Sequence, residues 1–306
     1  MLDYNAALAV DMIVRTGSFE KAAKALNVTP SAISQRVKQL EERMGTVLIE
    51  RGTPCRATDK GAWLCRHVAL VGQLEKTLIE QLPELGDIAN GPVTVDIAVN
   101  ADSLGTWFLP AMAAFAERSN VLLNIAVDDQ DHTADWLKRG RVLAAVTSTR
   151  EPVSGCTVTP LGQLRYVATA SPTFIGRYFP KGVTAEALRQ APALTFNQKD
   201  TMQHDWIAAN FADAAASPTH WLPSTHGFVE ACLLGLGWSL NPISLVRPHI
   251  DAGRLVELIP GATTDIPLYW QVSRWAQSQF PELTSAVVRS ATASLVRTTA
   301  PRHRQD

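Results

Sequence analysis

Residues 29–45, TPSAISQRVKQLEERMG, carry small polar side chains and a cation at helical spacing. Ser31, Ser34, Gln35 and Lys38 fall on one face of the predicted helix, and the first twelve residues of the stretch contain no carboxylate. Glutamine can pair with adenine through two hydrogen bonds, serine can bond a base or a phosphate, and lysine can neutralise a phosphate. This chemistry suits the major groove of DNA, although a polar helix face is more often simply solvated.

The helix that must position these side chains has a defined start and an apolar face. Thr29 is a candidate N-cap, and Pro30 suits the first helical position because its fixed φ fits and its missing N–H is not needed there. Backbone amides at this start could also bind a phosphate. An apolar seam is predicted to face the core, at Ile33, Val37, Leu40 and Met44. A preceding short helix after Ser18, joined by the tight turn NVT, completes a helix-turn-helix pattern.

The sequence TVLIERGTPCRATDKG, which follows Gly45, predicts a hairpin beside this helix. Residues 51–58 contain a proline turn, Arg51 and Arg56, and no acid. Arginines on such a wing can reach the DNA backbone or a narrow minor groove. Because the net charge of the 306 residues is −1, DNA binding would depend on a local basic surface rather than on overall basicity.

The order FEKAAKALNVTPSAISQRVKQLEERMGTVLIER, followed by RATDKG, resembles the DNA-binding domain of the LysR-type transcriptional regulators. The resemblance covers residues 4–88 and implies a winged helix-turn-helix that binds promoter or operator DNA and acts with RNA polymerase. It implies that the recognition helix contacts bases and that the wing contacts the minor groove. The residues expected to bind DNA are Thr29, Pro30, Ser31, Ser34, Gln35, Lys38, Arg51 and Arg56.

A single long helix is predicted from Thr58 to about Leu82. Apolar residues repeat every seven positions at Leu64, Val71, Leu78 and Leu85, with Val68 and Leu82 in the companion position. Glu75 interrupts this stripe, which must be buried against another surface. In the resembling family the helix pairs with its copy in a second subunit, which implies a homodimer or homotetramer. Packing on the same chain is the alternative. Pro83 and GDIANGP predict the end of the helix and a hinge.

The C-terminal two-thirds of the chain alternates strand and helix patterns, beginning with the predicted strand VTVDIAV and the helix SLGTWFLPAMAAFAERS. The predicted fold is therefore α/β, with an N-terminal winged helix-turn-helix, a long linker helix and a two-subdomain effector domain of the periplasmic-binding-protein type, as the LysR resemblance implies. The predicted boundaries are 1–60 for the DNA-binding domain, 61–90 for the linker and hinge, and 91–306 for the effector domain, with subdomain I at about 91–163 and 267–300 and subdomain II at about 164–266.

Polar residues follow several predicted strands, and the carboxyl ends of strands are where such folds bind ligands. The candidate effector-binding residues are Asn100, Asp102, Ser103, Asp128, Asp129, Gln130, Thr147, Ser148, Asn197 and His226. We expect Ser103 to open a helix whose amides suit a carboxylate, while Asp128, Asp129 and Asp131 could hold a cation. This set favours a zwitterion with an extra positive charge. Each acid could instead be a cap or a solvated side chain.

The second half also resembles one branch of the family, the ArgP/LysG regulators of arginine and lysine export. The resemblance is carried by VNADSL, MQHDWIAANF, PTHWLPSTHGFVEACLLG and LYWQVSRW. It implies an activator of an amino-acid exporter gene that responds to L-lysine or L-arginine. The alternatives are a LysR-type regulator with a different small-molecule effector, and a minor role as an inhibitor of chromosome replication initiation.

No sequence pattern indicates an enzyme or a metalloprotein. His132 and the pair His204–Asp205 lack a nucleophile at any recognised spacing, and no phosphate loop or zinc pattern occurs. We therefore expect no catalysis, no cofactor and no metal.

Four cysteines without C-x-x-C spacing predict reduced thiols, and an N-terminus without a signal peptide or membrane span predicts a cytoplasmic protein. Four aromatic residues could line the cleft or fill cores: Trp107, Trp206, Trp221 and Phe228.

Overall fold

The computed structural model describes residues 2–81, 93–128, 133–211 and 216–297. Its contacts divide the chain into two compact units. The first contains the N-terminal helices and hairpin, together with Asn120–Leu122 and Asp135–Leu143, and the second contains most of the α/β part. Among the described residues, no helix is both long enough and apolar enough to cross a membrane.

The N-terminal part is helical with one short hairpin. Its elements are α1 (Tyr4–Thr16), α2 (Phe19–Ala25), α3 (Pro30–Met44), β1 (Ile49–Glu50), β2 (Arg56–Ala57) and α4 (Asp59–Gln81). Side-chain oxygens of Asp3, Ser18 and Thr29 accept hydrogen bonds from backbone amides and cap the first three helices. Gly17 and Gly45 end α1 and α3 in the left-handed conformation, which glycine adopts without steric cost.

The core of this part is formed by the facing apolar sides of α1, α2, α3 and the start of α4. Ile33, Val37 and Leu40 are buried in it, as the helical spacing predicts. The prediction for Met44 is wrong, because its side chain is 45% exposed. Met44 is the last residue of α3, and Gly45 turns the chain away immediately afterwards, so the apolar seam ends one turn earlier than predicted.

The linker helix α4 packs partly on its own chain. Leu64 and Val68, the first members of the seven-residue repeat, are buried in the core formed with α1. The alternative of packing within the chain therefore applies to this first portion of the stripe. Later positions of the repeat, Leu82 and Leu85, and the predicted hinge lie outside the described residues.

The α/β part begins at residue 93. Its first half contains β3 (Val93–Asn100), α5 (Ala101–Ser103), a π-helical turn (Leu104–Phe108), α6 (Leu109–Ala116), β4 (Val121–Asp128), α7 (Thr133–Lys138), β5 (Ala144–Thr147) and β6 (Cys156–Ala170). Its second half contains α8 (Pro172–Tyr178), α9 (Ala185–Leu188), β7 (Ala193–Thr195), α10 (Met202–Asn210), β8 (Thr219–Trp221), α11 (Thr225–Leu233), β9 (Ser239–Pro242), α12 (Ile243–Asp251), β10 (Val256–Glu257), β11 (Thr263–Ser273), α13 (Arg274–Gln279) and α14 (Pro281–Ser294).

Seven of the described strands form one mixed sheet in the order β10-β6-β11-β5-β3-β4, with β9 also paired to β6. β3 runs parallel to β5, whereas β6 and β11 are antiparallel to each other over most of their length. β6 begins well before the predicted segment RYVATAS, because Cys156 already pairs with Ser273. A separate parallel pair, β7 and β8, lies beside α10 in the sequence.

Candidate DNA-binding surface and effector cavity

The polar face of α3 is accessible. Ser31, Gln35 and Lys38 are exposed and Ser34 is half-buried, while the opposite face lies in the core. Thr29 Oγ1 accepts a 3.2 Å hydrogen bond from the Ala32 amide, so Thr29 caps the helix, as predicted. The arrangement is that of a recognition helix with small hydrogen-bonding side chains and a cation on its free face.

Two of the exposed cations have neighbours. Lys38 Nζ lies 3.8 Å from Glu42 Oε1, and both side chains are largely in solvent, so this ion pair contributes little. On the hairpin, Arg51 and Arg56 are exposed, and the Arg51 guanidinium lies 5.3 Å from the centre of the Phe19 ring. A guanidinium over an aromatic face is held by a cation–π interaction.

The hairpin is attached to the helices at two points that sequence reasoning missed. The Cys55 amide donates a 2.9 Å hydrogen bond to the Gly17 carbonyl in the turn between α1 and α2. At the base of the hairpin, Glu41 Oε1 accepts hydrogen bonds from the Leu48 and Ile49 amides at 2.7 and 3.3 Å. The recognition helix and the wing are therefore joined by fixed contacts.

A small, solvent-open cleft lies at the carboxyl end of β3. It is lined by Asn100, Ala101, Asp102, Asp128, Phe196, Asp200, Met202, Gln203, Phe228 and Leu240. Three predicted residues, Asn100, Asp102 and Asp128, thus meet at one cavity. The neighbouring candidates Asp129 and Gln130 lie outside the described residues.

Several other candidates do not line this cavity. Ser103 does not open the helix as expected, since Asn100 occupies the N-cap position and Ser103 is completely buried in the first turn. Thr147 is buried and its Oγ1 accepts from the Thr149 amide, whereas Ser148 is half-buried.

The two candidates from the second half also lie apart from the cavity lining. Asn197 Oδ1 accepts a 2.7 Å hydrogen bond from the Lys199 amide and so shapes a turn. His226 is exposed, and a side chain on Gly105 would meet its ring at 3.1 Å. Its neighbour Thr225, which was not predicted, donates a hydrogen bond to Asp102, and Asp102 lines the cavity.

Both carboxylate oxygens of Asp102 accept hydrogen bonds from other side chains. Its Oδ2 accepts a 2.7 Å hydrogen bond from the Tyr166 hydroxyl on β6, and its Oδ1 accepts a 2.6 Å hydrogen bond from Thr225 Oγ1 at the start of α11. Charge-assisted hydrogen bonds of this length are strong. Three separate elements therefore converge on one carboxylate at the start of α5.

Asp200 supplies a third acid that the strand-end rule did not predict. Its carboxylate accepts hydrogen bonds of 3.0 Å from the Phe196 and Met202 amides, which fixes the loop before α10. An aspartate just before a predicted helix is a sequence signal for an Asx turn, in which its carboxylate accepts from the amide two residues on. That signal would have located the residue but not its position beside the cavity.

Two neutral oxygens complete the polar lining. Asn100 Oδ1 and Gln203 Oε1 are buried and have no hydrogen-bond partner among the described residues. A buried acceptor without a donor is costly unless a bound group supplies one. The carboxylates and these two unpaired amide oxygens together make the cavity rich in hydrogen-bond acceptors.

The described residues give no sign of metal or thiol chemistry. Within them, no group of three or more His, Cys, Asp or Glu side chains is placed to hold a metal ion. None of the four cysteines, all of them in the described ranges, forms a disulfide, and burial raises the pKa of the Cys65 and Cys232 thiols to about 12. These two thiols therefore remain protonated and poorly nucleophilic at neutral pH.

Of the four aromatic candidates, Phe228 lines the cavity, Trp107 and Trp206 are buried, and Trp221 is exposed.

Two family models match the chain. The bacterial regulatory helix-turn-helix protein, lysR family, matches residues 5–62, and the LysR substrate binding domain matches residues 93–291. With the winged helix-turn-helix and the mixed α/β part, these matches show that the chain belongs to the LysR family of transcriptional regulators.

Relatives refine this class. The HTH-type transcriptional regulator LysG of Mycobacterium tuberculosis is 41% identical over 297 residues, which is 97% of this chain and 95% of that protein. The crystal structure of ArgP from Mycobacterium tuberculosis is 39% identical, with a TM-score of 0.81, and covers 98% of this chain and 100% of its own. Full-length LysG of Corynebacterium glutamicum with bound effector Arg is 34% identical, with a TM-score of 0.72, and covers 96% and 100%. The chain is a LysR-type regulator of the LysG/ArgP type.

Proposed function

We propose that this regulator binds a basic amino acid, L-lysine or L-arginine, in the cleft beside β3, and that this ligand controls transcription of an amino-acid exporter gene. The observation that carries the proposal is the acceptor-rich cavity lining. Asp102, Asp128 and Asp200 bring three carboxylates to one small site, and no cationic side chain lines it among the described residues. A ligand with an extra positive charge is the natural complement.

The amino acid would be oriented by its two ends. Its carboxylate would lie at the start of α5, where the Asn100 side chain makes no capping bond and the helix continues through the π-helical turn into α6. Amide groups at a helix start suit an anion. Its cationic groups would face the three acids, and Asp129 and Gln130 remain candidates because they follow Asp128 in the chain.

DNA binding is assigned to α3 and the wing. Ser31, Ser34 and Gln35 would contact bases in the major groove, and Thr29 and Pro30 would set the start of the helix at a phosphate. Lys38, Arg51 and Arg56 would contact phosphates or the minor groove. The exposure of Ser31, Gln35 and all three cations supports this assignment.

The effector part is proposed to consist of two subdomains that meet at the middle of the β6–β11 pair. The predicted crossing points fall opposite each other, since Gln163 pairs with Pro267 and Leu164 pairs with Ile266. Ligand binding would change how the subdomains close, and so alter DNA contacts and the action of RNA polymerase in a homodimer or homotetramer. The bound Arg in LysG of Corynebacterium glutamicum supports the ligand class. The exporter target rests on the resemblance to regulators of arginine and lysine export.

Isothermal titration of the full chain with L-arginine and L-lysine tests the ligand class, with L-norleucine and L-glutamate as neutral and acidic controls. We expect binding of at least one basic amino acid and of neither control. Asp128→Asn should weaken that binding by about 10- to 150-fold, since a charge-assisted hydrogen bond is worth roughly 1.5–3 kcal/mol. Glu230→Gln, at an exposed position of α11, is the matched control and should leave it unchanged.

A gel shift on the DNA upstream of the regulator's own gene and of a neighbouring exporter gene then tests the regulatory step. The bound amino acid should change the mobility or the footprint of the complex. Identical footprints with and without ligand at saturating protein would contradict the proposed control.

A further inference from the structure

Gln203 is placed to distinguish between the two basic amino acids, and we infer that it selects arginine over lysine. This inference rests on the proposed function, because it concerns the same cavity. It goes further by naming the residue that decides between the ligands. The argument depends on the orientation of one buried side-chain amide.

That orientation is fixed by a partner that can only accept. Gln203 lies in the first turn of α10 and is 5% exposed. Its Nε2 donates a 2.7 Å hydrogen bond to the Leu194 carbonyl on β7, and a carbonyl oxygen cannot donate in return. Nε2 therefore points toward Leu194, and Oε1 is left as the free end of the amide.

The free end is a buried acceptor in need of a donor. Gln203 Oε1 has no hydrogen-bond partner among the described residues, although the side chain lines the cleft. Asn100 Oδ1, whose side chain lines the same cleft, is also buried and also lacks a hydrogen-bond partner among the described residues. A ligand that supplies N–H groups to such oxygens recovers hydrogen bonding that would otherwise be lost, and one such bond corresponds to about a tenfold change in affinity.

The two basic amino acids differ in how they could supply those N–H groups. Oxygens of Asp102 and Asp200 already accept hydrogen bonds from within the protein. A guanidinium has five donors in a planar fork and can bridge a carboxylate and a neighbouring amide oxygen, and it is weakly hydrated. An ammonium is compact and strongly hydrated, so it loses more when water is replaced by a neutral oxygen. Gln203 Oε1 therefore favours the guanidinium.

Titration calorimetry of the full chain tests this selection with Gln203→Met, which keeps the length of the side chain and removes its amide. We expect the wild type to bind L-arginine about tenfold more tightly than L-lysine. In Gln203→Met the affinity for arginine should fall about tenfold and that for lysine about twofold at most, so that the ratio approaches one. Gln198→Met, an exposed glutamine in the preceding loop, should leave both affinities unchanged.

If Gln203 had only a structural role, the result would differ. Loss of its bond to Leu194 would then lower the affinities for arginine and lysine equally. Such an equal loss, or a wild type that binds lysine as tightly as arginine, would overturn the inference. The ratio of arginine to lysine affinity in the wild type tests the inference even if Gln203→Met has a low Tm. Gln203→Asn, which withdraws the side-chain oxygen, should show the same selective loss of arginine affinity. Absence of binding by either amino acid would overturn the proposed function and this inference with it.

Discussion

Thr225 Oγ1 donates a 2.6 Å hydrogen bond to Asp102 Oδ1, and this bond joins the start of α11 to the start of α5. The two residues are 123 positions apart in the chain. Because Asp102 lines the cleft, the orientation of a cleft-lining carboxylate depends on a hydroxyl from a distant helix.

Thr225→Val removes this donor and keeps the shape of the side chain. We expect effector affinity to fall about tenfold, the lower end of the roughly 1.5–3 kcal/mol that a hydrogen bond to a charged group contributes, because Asp102 keeps its bond from Tyr166. Thr225→Ser keeps the hydroxyl and should bind nearly as well as the wild type. Titration calorimetry gives both values, and equal behaviour of the two variants would argue against the role of the hydroxyl.

The recognition helix gives a second prediction. Gln35→Ala should reduce the preference for operator over random DNA by about 5- to 100-fold, because a bidentate base contact discriminates by roughly 1–3 kcal/mol. Lys38→Ala should weaken binding to both DNAs and reduce the salt slope by about one. Fluorescence anisotropy at several salt concentrations separates the two effects. An unchanged operator preference in Gln35→Ala would remove this residue from base reading.

The contact between Arg51 and Phe19 gives a third testable prediction, which concerns DNA affinity. Phe19→Leu keeps an apolar side chain but removes the ring under the guanidinium, so Arg51 would have to be ordered on DNA binding. An exposed cation–π contact is worth about 0.5–1 kcal/mol, which corresponds to about a two- to fivefold loss of DNA affinity. Phe19→Tyr should retain affinity. In an Arg51→Ala background, Phe19→Leu should have no further effect, and additive losses would show that the ring acts elsewhere.

A fourth prediction concerns pH. Asp11 is buried, and burial raises the pKa of its carboxyl above the usual 3.8, although Arg15, 2.8 Å away, opposes this rise. The folded chain then keeps this proton to higher pH than the unfolded chain, so stability falls as pH rises from about 4 through the folded pKa. The Tm of the wild type should therefore decline over that range relative to Asp11→Asn, which cannot titrate. Parallel melting curves at every pH would contradict the assignment.

The sequence predicted those features of the fold that depend on residues close together in the chain. Thr29, Pro30 and Gly45 mark the ends of α3 through backbone preferences that act within a few residues, and the apolar spacing of Ile33, Val37 and Leu40 gives its buried face. The ends of β3 and β4 likewise lie at one cavity, so Asn100, Asp102 and Asp128 meet there, as the strand-end rule predicts.

Which side chain of a loop faces a cavity depends on contacts that spacing does not contain. Thr147 ends β5 and Asn197 follows β7, yet each side chain accepts a hydrogen bond from a backbone amide two residues further on. Gln203 lies in the cavity because its amide bonds to Leu194 on a neighbouring strand. Arg51 was predicted as an exposed cation, but its place over Phe19 depends on how the hairpin folds back on α2.

The hydrogen bond from the Cys55 amide to the Gly17 carbonyl has a mechanical consequence for DNA selection. With the wing fastened at its tip, and with Glu41 holding its base, the spacing between the wing and the recognition helix is set before DNA is met. In the proposed DNA complex, the duplex would then adjust its groove width and curvature to this spacing. Operators rich in easily bent pyrimidine–purine steps would be favoured at positions that the protein never touches.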